Sequence, residues 1–465
     1  PNELLKHAPE EVRRAMLDCI NCILLGQRPP PNWLGGLVRF LHKKGDTLDM
    51  TNYRPICLQN TIYKVLAAII TDRLYRLSER HGLLDPSQEG FRRMHCTQRQ
   101  VQSLHWAFEE ASRTKSGLIC AYLDFKNAFN SVDHAALWRW LDEINIPDHL
   151  YEGSHYYADL PYGRSAPIHL TRGTKQGDIL SPLLFGLVFN ALLIGLRHAG
   201  VGCNAITGLR SPARGFADDL ALTTSTADEM KTLLRVVSEF CRWTGMRINL
   251  EKSFISSHDF KTGKDLPIEA IVYEGTNLQR LPSSAAFTYL GIRASIRGSV
   301  QAEKAHILAS TRELLGLARK HEYLLSQMVP AVSFVATARF TYSAPLVPWT
   351  DSELDNLYKI WLQVHKSAWR LPLSYLSAPF TTPSEQGGYP LAHPLVLLIQ
   401  SLAKHVETLV ALPDGIRADT VRRYRLLCRS CGCHNERELA KHLVAERHPR
   451  KCPIARLLRA GAQLG

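Results

Sequence analysis

The sequence predicts an α+β fold, on three observations. Up to about residue 295, stretches with apolar residues at helical spacing alternate with short runs such as "LICAYLDF" and "FADDLAL" that read as strands. Beyond Gly298 the text becomes almost wholly helical. The 465 residues are 45% hydrophobic and 21% charged, a globular balance that excludes disorder and leaves room for two or three domains.

Residues 3–30 read as helical up to the break at "QRPPPNW", and "GGLVRFLHKKGD" reads as a strand carrying basic residues into a turn. Helical spacing runs through "YKVLAAIITDRLYRLSERHG" and "TQRQVQSLHWAFEEASRTKSG", with Gly82 and Gly117 as stops. "LICAYLDF" is then a strand, "HAALWRWLDEI" a helix, "APIHLTRGTKQGD" a strand and turn, and "SPLLFGLVFNALLIGLRHAG" a strongly apolar helix. No repeat period suggests a solenoid. Four segments follow: a helical extension over 1–34, a mixed body over 35–297, a helical region over 298–415, and a basic Cys/His-rich tail over 416–465.

The chain carries 56 Lys and Arg against 43 Asp and Glu, a net charge of +13 that favours a polyanionic partner, nucleic acid first. Eleven cysteines scattered mostly singly suit a reducing, intracellular compartment better than a disulfide framework. With no signal peptide and no run of ~20 apolar residues, no membrane partner is expected. The start at Pro1 suggests a fragment or processed product.

"RGFADDLALTT" places Asp218 and Asp219 side by side in an apolar strand or hairpin. Adjacent like charges there are costly unless a cation or a solvated turn compensates. Asp124 ends the apolar strand "LICAYLDF", and if the two strands are neighbours the three carboxylates converge on one sheet edge. Oxygen ligands of that kind select Mg²⁺ or Mn²⁺, and two such ions support in-line phosphoryl transfer. A solvated turn at Asp218-Asp219 and a helix cap at Asp124 are the bland alternatives. Between them, "RGTKQGDILSP" offers Gly177 for close backbone approach to a ligand and Gln176 for a base or sugar. Upstream, "HKKGDTLDMTNYRPICL" supplies Lys43, Lys44 and Arg54, suited to triphosphate oxygens.

In order along the chain, "NYRPICLQNTIYKVLAAIITDRL", "QEGFRRMHCTQRQ", "YLDFKNAFNSVDH", "TKQGDILSPLLF", "FADDLAL", "NLEKS" and "YLGI" resemble the motifs of reverse transcriptases. The resemblance is closer to those of non-LTR (LINE-like, R2-like) retrotransposons and covers about residues 35–295. It implies a right-hand polymerase fold: fingers and palm over 35–297, then a helical thumb and connection over 298–415. It also implies metal-binding carboxylates at Asp124, Asp218 and Asp219, and triphosphate contacts from Arg54 with Lys44 or Lys43. Phe129 would abut C2′ of the nucleotide sugar, with a plain core phenylalanine as its competitor. Lys252 would stand near the leaving group, with an exposed hairpin lysine as its competitor, and Arg92 would touch the template rather than the nucleotide. In the thumb, Lys304, Arg312, Arg319, Lys320, Lys366 and Arg370, the last two near Trp361 and Trp369, would track phosphates of the primer–template duplex, with a merely solvated helix face as the alternative.

The implied activity is RNA-directed DNA synthesis, extending a DNA primer 3′-hydroxyl on an RNA template with dNTPs by two-metal catalysis, in target-primed reverse transcription. The implied setting is intracellular, in the nucleus during integration or in a cytoplasmic ribonucleoprotein. A group II intron maturase-like enzyme and a non-catalytic RNA-binding protein on an inherited palm are the alternatives. The full carboxylate and Gln-Gly set argues against the second.

In the tail, Cys428-x₂-Cys431 has a spacing able to grip one side of a tetrahedral zinc. His442 is the expected third ligand and His448 or Cys452 the fourth, with Cys433 and His434 competing. The element resembles the CCHC-type element of R2-like enzymes, though its separations depart from that pattern, and a basic helical tail with incidental thiols is the alternative. Cys19-x₂-Cys22 instead reads as core. "LPDG" at 412–415 reads as a turn, and no complete endonuclease or RNase H carboxylate set is legible, so nuclease activity is expected outside this segment.

Overall fold

The computed structural model describes residues 2–144, 155–160, 163–204, 210–320, 325–381, 386, 391–433, 435–445 and 452–464. Helix α1 (Glu10–Leu24) buries Ile20 and Ile23 in the same core as Trp33 and Leu34, so the N-terminal extension packs onto the body that follows it. Cys19 lies against this core, whereas Cys22 is exposed. The buried stripe runs through positions 19, 20 and 23, and Cys22 falls beyond its edge.

Strands β1 (Gly35–His42) and β2 (Tyr53–Gln59) pair antiparallel through the basic turn. Helix α2 (Thr61–Arg80) starts where the Asn60 side chain accepts from the Ile62 amide. Helix α3 (Thr97–Thr114) ends at Lys115, left-handed at φ 51°, not at Gly117. Gly117 opens β3 (Gly117–Leu123) instead. Helix α4 (His134–Glu143) follows, and β4 (His155–Leu160) lies parallel to β1, completing the fingers sheet with short strands at Gly163–Arg164 and Ile168–His169.

Helix α5 (Ser181–His198) is apolar on nearly every side and therefore central, with Phe185, Phe189 and Leu196 fully buried. Each such side chain contributes roughly 1.5–3 kcal/mol by leaving water. The palm sheet adds β5 (Ala213–Phe216), β6 (Asp219–Thr224), helix α6 (Ala227–Thr244), β7 (Phe254–Asp259) and β8 (Gln279–Leu281), in the order β8-β7-β3-β6-β5. Strand β3 is buried on both faces because alternate residues serve different cores. Ile119, Ala121 and Leu123 face the core around α5; Leu118, Cys120 and Tyr122 face Phe287 and Tyr289 of the hairpin β9 (Phe287–Tyr289) and β10 (Ile292–Ala294).

After this body come thumb helices α7 (Gln301–Lys320), α8 (Leu325–Ser343) and α9 (Asp351–Ala368). A reciprocal cap starts α9: the Thr350 hydroxyl accepts from the Glu353 amide, and the Glu353 carboxylate accepts from the Thr350 amide. Helix α10 (Pro394–Ala411), like α5, is long and apolar enough to cross a membrane. Here Leu398, Leu402, His405 and Leu409 are buried against other helices, α3 among them. Helix α11 (Gly415–Cys431) begins in the predicted "LPDG" turn, where the Asp414 carboxylate caps the Arg417 amide. Helices α12 (Glu436–Ala445) and α13 (Pro453–Leu464) close the described chain, and buried Arg456 donates to the carbonyls of Ala344, Pro345 and Val347 just beyond α8.

Candidate active site

Strands β5 and β6 form a hairpin in which Asp219 pairs with Phe216, leaving Ala217 and Asp218 as the turn. Ala217 has φ 57°, a left-handed conformation that costs an L-residue about 1–2 kcal/mol and normally goes to glycine. The fold holds it there with one side chain: Gln88 accepts from the Ala217 amide (2.9 Å) and donates to its carbonyl (3.2 Å). Gly90 lets that loop lie flat on the turn, since a Cβ at this position would stand 2.1 Å from the Ala217 nitrogen. The "QEG" residues thus shape the acidic turn, a role the sequence reading missed because nothing local to residues 88–90 points to a partner at 217.

Leu123 pairs with Leu220, so the register brings Asp124 beside Asp219. The segment "NLEKS" fixes Asp124: its amide donates to the Ser253 hydroxyl (3.0 Å) and its carbonyl accepts from the Asn249 amide (2.7 Å). The three carboxylates therefore stand within electrostatic reach. Burial, then the Asp124 charge, raises Asp218 above the ordinary aspartate value. Asp219 opens to solvent at its edge, yet the packed surroundings and then the charges of Asp218 and Asp124 push it up to about 6. Among the described residues no three His, Cys, Asp or Glu side chains form a ready-made metal cage. A magnesium-type ion fits this open set nonetheless, because such ions take one or two carboxylates and complete their shell with water and substrate phosphates. A divalent ion would also relieve the repulsion that adds to burial in raising both carboxyls.

Phe129 is half-buried, stacked on Phe185 (ring centroids 4.3 Å) and edge-on to Phe91 (5.8 Å). Exposed Phe91, at φ 59°, joins this aromatic shelf without having been singled out from sequence. The "TKQGD" loop is tied down at every step. Thr174 donates its amide to the Phe129 carbonyl (2.7 Å), and the Gln176 carbonyl accepts from the Cys57 amide (2.7 Å). Buried Lys175 donates to the Leu34 carbonyl (2.7 Å), and buried Asp178 accepts from the Tyr63 hydroxyl (3.0 Å). Burial pushes Lys175 down and Asp178 up from their ordinary values. Gly177 makes a close approach to the protein itself: at φ 113°, a Cβ would lie 2.6 Å from the Cys57 carbonyl oxygen. Lys43, Lys44, Arg54 and Lys252 are all exposed, the first three on the β1–β2 arm and Lys252 in the turn after Asn249.

Three predicted nucleic-acid contacts are corrected. Arg92 is bound to both Glu79 oxygens (2.8 and 2.7 Å) and to the Asp85 and Gln88 carbonyls, so it is a strut of the "QEG" loop. Lys304 is buried against Glu353 (2.7 Å) and the Trp349 ring, and Lys366 is buried donating to the Leu373 and Tyr375 carbonyls. A lysine on helical text can point inward when a carboxylate or a helix-end carbonyl waits for it. Arg312, Arg319, Lys320 and Arg370 are exposed, and Arg312 and Arg319 border a groove between α7 and α9 floored by Leu315 and Ile360.

The tail does not assemble a zinc site among the described residues. Cys428, Cys431, Cys433 and Cys452 pack as small apolar groups around Leu427, Leu439, Leu443 and Ala455, and Cys452 sits deep enough that burial raises its thiol. A structural zinc needs four converging protein ligands, and His442 does not complete such a group here. His434 and His448 lie outside the described residues.

A carboxylate turn between antiparallel strands of the palm sheet, an acidic strand end beside it, basic fingers and a helical thumb define a right-hand polymerase. The chain belongs to the reverse transcriptase (RNA-dependent DNA polymerase) family, whose pattern residues 41–294 match. Relatives are non-LTR retrotransposon proteins. One is the "Retrovirus-related Pol polyprotein from type-1 retrotransposable element R2" of Popillia japonica, 30% identical over 240 residues, covering 50% of this chain and 33% of the relative. The R2 polyprotein of Nasonia vitripennis is 23% identical over 83% of this chain and 38% of its own length. The "Probable RNA-directed DNA polymerase from transposon X-element" of Drosophila melanogaster is 26% identical over 70% of this chain and 35% of its own length. The chain thus spans about a third of the length of these relatives. Among solved structures, telomerase from Candida tropicalis in complex with an RNA fragment is similar at 12% identity and a TM-score of 0.41, over 89% of this chain and 68% of that one.

Proposed function

We propose that this chain copies RNA into DNA, extending a DNA primer 3′-hydroxyl with dNTPs, as the synthetic part of target-primed reverse transcription by a non-LTR retrotransposon. The observation that carries the proposal is the pairing of the Ala217-Asp218 turn with the Asp124 strand end inside a reverse transcriptase family match. Asp124, Asp218 and Asp219 would hold Mg²⁺ or Mn²⁺. When bound, these ions stabilise the attacking and leaving oxygens of phosphoryl transfer. Phe129 sets the floor under the sugar, Gln176 borders the nucleotide, and Arg54, Lys43, Lys44 and Lys252 offer charge to the triphosphate. The place of action is intracellular, in the nucleus when chromosomal DNA provides the primer. Nicking of the target is assigned to a nuclease other than residues 1–465.

Primer extension on an RNA template with Mg²⁺ tests the proposal. Wild-type chain should extend, and Asp218→Asn should lose extension while retaining RNA binding, since RNA is held chiefly by basic groups. Near-normal extension by that variant would overturn the metal assignment, and RNA binding without extension by the wild type would favour the non-catalytic alternative.

A further inference from the structure

One cation in the palm connects parts of the chain more than 300 residues apart. Arg99 on α3 is fully buried, and its guanidinium makes three kinds of contact. It donates to Glu89 (Nε to Oε2, 3.0 Å), to the Thr408 carbonyl near the end of α10 (2.7 Å), and to the Asp414 carboxylate that caps α11. Glu89 is itself buried and has the His95 ring 3.0 Å away. Its amide donates to the Gly215 carbonyl (2.9 Å), which also accepts from the Gln100 side chain (2.7 Å). Next to Glu89 in sequence, Gln88 holds Ala217 in its left-handed conformation. A continuous line of polar contacts therefore runs from half-buried Asp414 through buried Arg99 and Glu89 to the loop that shapes the Ala217-Asp218 turn.

We propose that Glu89, Arg99 and Asp414 are positioning residues, through which the docked C-terminal helices α10 and α11 set the geometry of the carboxylate turn. Two features favour this over simple packing. The turn conformation is one that alanine does not prefer, so it depends on what surrounds it. The line also ends on charge: loss of the Asp414 charge leaves the guanidinium with one carboxylate where it had two, so Glu89 and its backbone bonds must readjust. Other contacts of α11 with α3 do not reach the turn. Arg423 binds Glu109 (2.7 Å) and the Trp106 carbonyl farther along α3, which makes it a control.

The consequence for catalysis rests on the polymerase reading, but the first measurement does not. Asp414→Asn keeps an N-cap of nearly equal quality while removing the charge. Hydrogen exchange on the full chain should show amides of residues 213–220 exchanging about tenfold faster or more in Asp414→Asn. Arg423→Ala should leave them at the wild-type rate, although both variants loosen α11. In extension assays Asp414→Asn should lower kcat by roughly tenfold to a hundredfold and raise the Mg²⁺ concentration at half-maximal rate, with the dNTP KM little changed. Arg99→Lys, which keeps the charge but not the fork, should show the same pattern in weaker form if it folds. Unchanged exchange at 213–220 in Asp414→Asn, or equal acceleration in Arg423→Ala, would overturn the inference. Faster exchange in a chain that never extends a primer would leave the coupling standing and remove the polymerase reading instead.

Discussion

Asp218 and Asp219 are neighbours with different attachments: the first occupies the turn, the second begins the paired strand. Because Asp219 is pushed up to about 6, the folded chain without metal holds its proton more tightly than the unfolded chain does. Its contribution to stability is therefore highest below the ordinary aspartate value and declines as pH rises towards about 6. A divalent ion works in the opposite direction, since it binds the ionised carboxylates. The increase in melting temperature caused by Mg²⁺ should accordingly be large above pH 7 and shrink below about 6. An increment independent of pH would place the ion elsewhere. Phe129 makes a second residue-scale test. Its ring rests on Phe185, so Phe129→Val opens space beside the sugar, and selectivity for dNTPs over rNTPs should fall by roughly tenfold or more. Unchanged selectivity would return the ring to a packing role.

At the scale of elements, the junction of β2 with the "TKQGD" loop is backbone on backbone. Gly177→Ala should destabilise it by about 1–3 kcal/mol from conformation alone, before the clash with the Cys57 carbonyl is counted, and lower the melting temperature. A wild-type melting curve would mean that the loop stands free of the strand. The elements that sequence revealed best were those whose logic is local. Strand β3 announced itself as an unbroken apolar run, α5 by apolarity on all sides, and the β5–β6 hairpin by its anomalous acidic pair. What stayed hidden were contacts between distant positions. Lys175 and Asp178 lie in turn text with nothing local to show that Leu34 and Tyr63 receive them in the interior. Lys304 and Lys366 have the spacing of exposed helix lysines, and only the folded arrangement supplies Glu353 and the 373–375 carbonyls. Arg92 could not be told from a template-binding arginine without knowing where Glu79 lies.

At the scale of the whole molecule, the charge available to a nucleic-acid duplex is smaller than the count of basic residues suggests. Extension of a supplied, pre-nicked primer should weaken log-linearly with salt, and intact duplex DNA should remain uncut by this chain. Removing exposed Arg319 should reduce the salt slope by about one, whereas Lys304→Met should leave the slope unchanged. A steeper dependence on Lys304 than on Arg319 would reverse the assignment of the thumb surface. The buried cations also bear on where the polymerase unit begins and ends. The family resemblance spans 41–294, yet Lys175 donates to the Leu34 carbonyl before that stretch, and Arg99 to Thr408 and Asp414 after it. A piece trimmed to the shared stretch would take from Lys175 its Leu34 acceptor and leave Arg99 with Glu89 alone of its three partners. Shared ancestry and structural support therefore have different boundaries in this chain, and a segment reaching from before Leu34 to beyond Asp414 should melt at a higher temperature than one cut to residues 41–294.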